Sequence, residues 1–333
     1  MPPLRARKRR KHAAAGDSEP RLGVESATRK RVADLDDLIA KLESSELPAP
    51  HGCVLDKLLV SLRALSAFIG AGAVKSLVTE MVLLVSLGLH NDDDFTNVVI
   101  TGNPGTGKTE MLKCVAKIWA QVFHGKRGNV TWLSRANLIG EHLGETAIKT
   151  ARALASAAPG VAVLDEVYAL GSGESDKDSF SKECIDTINQ FTSECREHLS
   201  IIVAGYRRET EQCFFARNRG LERRFPWRFH VEDYTLTELQ AIAASQLGAS
   251  AWSARDAKWA SMACVVEALR RGRNNGGDTQ RLLQLCKLAH ARRIPPADEL
   301  RVLSVADIEH ACAAFVSTVA QDAADAAPAG MYT

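Results

Sequence analysis

Gly102-Asn103-Pro104-Gly105-Thr106-Gly107-Lys108-Thr109 is the stretch that decides the reading of this chain. It fits the phosphate-binding pattern of glycine, four residues, Gly-Lys-Thr. The pattern means something only between a strand and a helix, and both flanks are present. The apolar run Val98 to Thr101 precedes it, and a helical pattern extends from it to about Phe123. Glycines let backbone N–H groups curl around phosphate oxygens, and the helix N-terminus adds partial positive charge. The nucleotide-binding set read here is Asn103, Pro104, Gly105, Thr106, Gly107, Lys108, Thr109 and Glu110. Lys108 is placed to reach the β- and γ-phosphates. The Thr109 hydroxyl suits Mg²⁺, a hard cation that prefers oxygen.

Downstream, Val161-Ala162-Val163-Leu164-Asp165-Glu166 reads as an apolar strand ending in two carboxylates. Such a strand delivers them to the carboxyl edge of the sheet, where α/β folds bind ligands. Asp165 is the second metal candidate, and Glu166 can orient or deprotonate a water beside the γ-phosphate. Lys108, Asp165 and Glu166 together point to hydrolysis of a nucleoside triphosphate, beyond binding alone.

Around these motifs the chain alternates β-rich and helical runs. The strands expected are Val98 to Thr101, Val130 to Leu133, Val161 to Leu164, Leu199 to Ala204 and Phe229 to Val231. That rhythm predicts a five-stranded parallel sheet between crossover helices, an α/β fold. After Tyr234 strands are expected to stop. Leu236 to Leu247, Ala257 to Arg270, Thr279 to Ala291 and Val305 to Val316 all read as helices, so a small C-terminal helical lid follows the sheet. Ahead of it, Val32, Leu35, Ile39 and Leu42 fall at helical spacing, and Val54 to Leu89 reads as two helices divided at Gly70 and Gly72. The boundaries read are a disordered basic tail over 1–31, N-terminal helices over 32–90, the nucleotide-binding domain over 91–234, the lid over 235–320 and a frayed end over 321–333.

With 46% hydrophobic and 25% charged residues, the 333-residue chain has the composition of a soluble globular protein. Arg63, Lys75 and Glu80 interrupt its longest apolar stretch, so no membrane span is expected. The net charge of +2 creates no global field for a polyanion. Its basic residues do cluster at Arg5 to Lys11 and Arg29 to Arg31. A solvated tail, a nuclear-localisation signal and a nucleic-acid contact are all consistent with that cluster. The eight cysteines include no C-x-x-C pair, which suits reduced thiols and a cytoplasmic or nuclear location.

The residues resemble the AAA+ family, within it the branch of the sporulation-protein-K-like ATPases and the red-type Rubisco activases. The similarity runs from about Ile69 to Leu283. Beyond the two nucleotide motifs it rests on Ile69-Gly70 with Val74-Lys75, on Leu138-Ile139-Gly140 with Leu143 to Ala147, on Ala204-Gly205-Tyr206, and on Gly220-Leu221 with Arg224-Phe225-Pro226. The resemblance implies ATP and Mg²⁺ as cofactors and a homo-oligomer, a hexameric ring, that remodels a protein client. It also implies that Ile69 and Gly70 flank the adenine, and that Arg224 acts as an arginine finger in a neighbouring subunit's site, with Arg223 as the adjacent alternative. His142 and Leu143 fall where the family carries its client-gripping pore loop, with His142 at the aromatic position. Two departures stand out. Many AAA+ proteins place an asparagine at the fourth strand's tip, where this chain has Gly205-Tyr206, leaving Tyr206 as sensor candidate. In the lid, the family's Gly-x-x-Arg appears as Gly277-Asp278-Thr279-Gln280-Arg281, so the sensor arginine is either displaced to Arg281 or absent. A nucleic-acid-handling ATPase and a slowly hydrolysing, nucleotide-gated scaffold are the alternative functions.

Overall fold

A computed structural model describes residues 31–325 except Asp92, Leu143 and 172–178. The basic tail expected over 1–31 therefore lies outside the described residues apart from Arg31, as do 326–333. No helix among the described residues is long and apolar enough to cross a membrane.

Five parallel strands form the central sheet: β1 (Val98–Gly102), β2 (Asn129–Trp132), β3 (Gly160–Leu164), β4 (Leu199–Gly205) and β5 (Trp227–Val231). Their spatial order is β2-β3-β4-β1-β5. β1, β3 and β4 are buried along their whole length, which is why they read as continuous apolar runs without alternation. The expected strands all form, with ends moved by up to two residues.

On one face, α4 (Lys108–His124) crosses β1 to β4 and buries Met111, Leu112, Val115 and Trp119. The Trp119 indole donates to the Thr96 carbonyl at 2.9 Å, so its polar edge is satisfied inside the core. On the other face, α6 (Thr146–Ala157) and α7 (Ser179–Glu194) bring Leu154, Ile185 and Ile188 against Ala162, Leu164, Ile201 and Val203. Phe214, Phe215 and Phe225 close that layer with edge-to-face ring contacts.

The N-terminal helices are α1 (Leu35–Glu43), α2 (Leu55–Ser66) and α3 (Gly72–Ser86), with α2 packed on α4. The break expected at Gly70 and Gly72 is real. Gly70 has φ +74, and Lys75 Nζ donates to the carbonyls of Ser66 and Phe68 at 2.9 and 2.5 Å, tying down the turn. Burial lowers Lys75 from its ordinary value while Asp36 opposes the shift.

The lid has its own core around Leu247, Trp259, Leu269, Leu282 and Phe315. Its helices are α10 (Leu236–Gly248), α11 (Ala263–Arg271), α12 (Gly276–Arg292) and α13 (Val305–Asp325). Thr235 and Glu238 cap α10 reciprocally. Three expectations need correction. Strands do not stop at Tyr234: Ser253–Ala254 and Val302–Leu303 pair in parallel, each too short to show an alternating pattern. The helix expected from Ala257 starts only at Ala263, because Trp259–Ser261 forms a 3₁₀ turn that buries Trp259 and Ala260. The last helix continues to Asp325, past Val316, where its expected run ended.

Candidate active site

β1 delivers the phosphate-binding loop to the carboxyl edge of the sheet, and α4 leaves from its far end with Lys108 as first residue. Gly105 and Gly107 have φ of +73 and +79, the left-handed region that glycine enters without steric cost. Gly105 is doubly constrained, since a Cβ there would lie 1.8 Å from the Asn274 carbonyl oxygen. The Thr106 hydroxyl and Lys108 Nζ donate to the Asn103 carbonyl at 2.8 and 2.7 Å. Burial lowers the Lys108 ammonium from its ordinary value, and the carboxylates of Asp165, Glu166 and Asp233 oppose that shift.

Thr109 Oγ1 donates to Asp165 Oδ2 at 2.7 Å. The other oxygen of Asp165 accepts the Glu166 N–H at 3.0 Å, and Glu166 adopts φ +52. Lys108, Thr109, Glu110, Asp165 and Glu166 line one cleft of about 300 Å³, joined by Tyr168, Gly205 and Tyr206. A hydroxyl and a carboxylate within hydrogen-bond reach of each other, facing a phosphate-shaped loop, are hard oxygen donors of the kind Mg²⁺ takes, so the residues present fit the expected metal.

A second cavity of about 480 Å³ adjoins the first along Gly105, Gly107 and Glu110. Phe68 and Ile69 form one wall, Tyr234 and Ile242 another, and Gly276, Gly277 and Gln280 close it from the lid. Gly70 lies beneath, where a Cβ would come 3.0 Å from Glu238 Oε1 and 3.1 Å from the Tyr234 ring.

The lid is fastened directly to the loop. Asn275, with only 9% of its surface exposed, donates to the Pro104 carbonyl at 3.2 Å and to Asp233 at 2.8 Å, and accepts the Tyr234 N–H at 3.0 Å. Asp233 also accepts both bonds of the Asn103 amide, each 3.0 Å. The Tyr234 hydroxyl donates to the Thr106 carbonyl at 2.9 Å and the Gly276 N–H to the Gly105 carbonyl at 3.0 Å.

Other residues singled out from the sequence lie elsewhere. Arg281 is not brought to the site. It pairs with Asp322 at 3.5 Å and faces the Phe315 ring, on the side of α12 turned toward α13, while Gln280 faces the cavity. On the cavity side of α12 it is the neutral amide of Gln280 that stands. Arg224 belongs to α9 (Gly220–Arg224), where its Nε donates to Ser193 Oγ at 2.5 Å and its Nη1 to the Gly220 carbonyl at 2.8 Å. Its own carbonyl accepts from Asn97, just before β1, which puts it at the opposite end of that strand from the loop. Arg223 is exposed. His142 lies in an exposed turn held by the Glu145 side chain, and Leu143 falls outside the described residues.

Sequence reasoning missed Asp233, Tyr234 and Asn275. The first two lie within three residues of the end of β5, so the edge rule that found Asp165 would have found them. It also passed over Tyr168, two residues beyond Glu166.

A family model described as "ATPase family associated with various cellular activities (AAA)" matches residues 98–226. Among curated relatives, a CfxQ-like protein, R730, of Acanthamoeba polyphaga mimivirus is 32% identical over 77% of this chain and 64% of its own length. Stage V sporulation protein K of Bacillus subtilis is 30% identical over 59% of the chain and 63% of its own length. The chromosomal CbxX protein of Cupriavidus necator is 31% identical over 72% of the chain and 75% of its own length. The chain thus spans somewhat less than two thirds of the length of the first two. Among solved structures, the FIGL-1 AAA domain superposes with a TM-score of 0.57 at 17% identity, covering 90% of this chain and 98% of that one, a likeness of fold. The match of that model to the loop, the acidic strand end and the sheet between them, with relatives across most of the chain, makes this protein a member of the nucleotide-binding, ATP-hydrolysing AAA family, in the branch of the sporulation-protein-K-like and CbxX/CfxQ-like proteins.

Proposed function

We propose that the chain is an Mg²⁺-dependent ATPase that works as a homo-oligomeric, hexameric ring and uses hydrolysis to remodel a protein client in the cytoplasm or nucleus. The observation that carries this reading is the 2.7 Å contact between Thr109 and Asp165 inside a cleft also lined by Lys108 and Glu166. Lys108 and the loop amides hold the phosphates, the neighbouring cavity takes the base against Ile69, and Glu166 accepts a proton from the attacking water. Mg²⁺ would be held by Thr109 and Asp165 and would offset phosphate charge there. Among the described residues, Lys108 is the only cationic side chain lining either cavity, beside the carboxylates of Glu110, Asp165 and Glu166. A triphosphate carries more charge than one ammonium offsets, so a guanidinium from a second copy completes the site; Arg224, or Arg223 beside it, supplies it. His142 and Leu143 grip the client in the pore.

The neutral Gln280 favours a second reading, a nucleotide-gated scaffold that turns over slowly, because an amide senses phosphate charge less strongly than a guanidinium. Lys108→Ala should abolish ATP binding, and Glu166→Gln should bind ATP yet release no phosphate. Glu166→Gln rings that hold ATP and retain a co-purifying protein support remodelling, whereas rings that retain none support the scaffold.

A further inference from the structure

Tyr168 has no role in the reading above, yet it borders the phosphate cleft. Its ring stacks on that of Tyr206, with centroids 5.3 Å apart and planes within 18°. Lys108 Nζ lies 5.0 Å from the centroid of Tyr206, a cation over a π face. The Tyr168 phenol lines the cleft beside the Glu166 carboxylate, and both Glu166 and Tyr206 act on its ionisation. Lys108, Tyr206, Tyr168 and Glu166 thus run as a chain of contacts from the phosphate-binding loop to the end of β3. The backbone makes room for this: a Cβ on Gly205, at the tip of β4, would lie 2.9 Å from Tyr168 Cδ1. The strand tip is bare because the Thr210 hydroxyl, 2.5 Å from such a Cβ, and the Tyr168 ring together cover it.

Glu166 needs such support. It is exposed and left-handed at φ +52, and a loose glutamate explores many rotamers at a cost to any step requiring one of them. A carboxylate has about four lone-pair sites, so one donated bond leaves room for a water. Resting on the assignment of Glu166 as the group that activates water, we infer that Tyr168 is a positioning residue: its phenol fixes the Glu166 carboxylate for attack on the γ-phosphate, and Tyr206 is the platform that fixes Tyr168. Burial, and then the Glu166 charge, push the Tyr168 phenol up to about 12, so it remains a donor throughout the physiological range.

The test is phosphate release and ADP affinity for wild type, Tyr168→Phe, Glu166→Gln and the double variant, the slow ones read by single turnover with enzyme in excess. Phenylalanine keeps the stacked ring and removes only the hydroxyl. Tyr168→Phe should lower kcat about tenfold, the scale of one hydrogen bond to a charged group, with KM and ADP affinity unchanged. In the Glu166→Gln background it should slow turnover no further. Wild-type kcat in Tyr168→Phe, or an equal loss in both backgrounds, would overturn the positioning role while leaving Glu166 in place. Wild-type turnover in Glu166→Gln would instead remove the water-activation assignment itself, and this inference with it.

Discussion

The Thr109 hydroxyl and the Asp165 carboxylate meet at 2.7 Å although 56 positions separate them in the chain. The parallel register of β1, β4 and β3 brings them together, ending both motifs at one edge of the sheet. Thr109→Val keeps the volume and removes the oxygen. It should raise the Mg²⁺ concentration for half-maximal ATPase about tenfold, while chelator-treated protein binds ADP as wild type does. Equal Mg²⁺ curves for the two proteins would remove Thr109 from the metal's shell.

Arg224 is tied to Ser193 and Gly220 of its own subunit, whereas Arg223 is exposed. Arg224→Ala should therefore cost both hydrolysis and roughly 1–2 kcal/mol of stability. Arg223→Ala should leave the denaturation midpoint unchanged. Mixing Arg224→Ala with Lys108→Ala subunits should regain activity that neither shows alone, as intact loops meet intact arginines. If mixing restores nothing and Arg223→Ala alone abolishes turnover, the finger is Arg223.

Asn275 makes three hydrogen bonds, one to Pro104 of the loop and two to Asp233 and Tyr234 after β5, the last satisfying the Tyr234 N–H. Asn275→Ala strands these groups and should cost about 2 kcal/mol of stability and at least tenfold in nucleotide affinity. Calorimetric titration with ADP checks the second number. Unchanged affinity would mean that the lid contributes nothing to the closed cavity.

Within the lid core, Asp307 accepts from His290 Nδ1 and from the Ser304 N–H, both at 2.9 Å, with Arg293 3.3 Å from its other oxygen. Burial alone would push its carboxyl up. The bonds from Ser304 and His290 and the Arg293 charge outweigh this and pull it down to about 2. A folded value below the unfolded one adds stability at neutral pH that is lost as pH falls from about 4 to about 2. Denaturant titrations should show the wild-type advantage over Asp307→Asn shrinking by roughly 2 kcal/mol across that window. A constant difference from pH 7 to pH 2.5 would refute it.

The pore-loop assignment makes a kinetic prediction. His142→Tyr adds ring area for gripping an extended chain and should raise client-stimulated turnover severalfold, leaving basal turnover unchanged. Identical stimulation curves would return the turn around His142 to an ordinary surface loop.

What the sequence revealed depended on distance along the chain. The loop from Gly102 to Thr109 and the Asp165-Glu166 pair are contiguous strings whose flanks announce strand and helix. The lid bracket joins Asn103 to Asp233 and Asp233 to Asn275, 130 and 42 positions apart, and no periodicity encodes such meetings. Gln280 and Arg281 show the limit of reading a helix face by spacing. One residue turns about 100° around a helix, so the phase of α12 alone decides which of the two sees the cavity. Tyr168 escaped because an aromatic beside a catalytic string looks like core until its stacking on Tyr206 places it.

The floor of the larger cavity comes from Phe68 and Ile69, in the turn that Lys75 clamps, ahead of the first strand of the sheet. If that cavity takes the base as proposed, triphosphate grip and base selection reside in separate stretches of chain. A version begun at residue 91 would keep the loop and the acidic pair but lose that floor, becoming a polyphosphate binder that takes GTP, CTP or inorganic tripolyphosphate as readily as ATP.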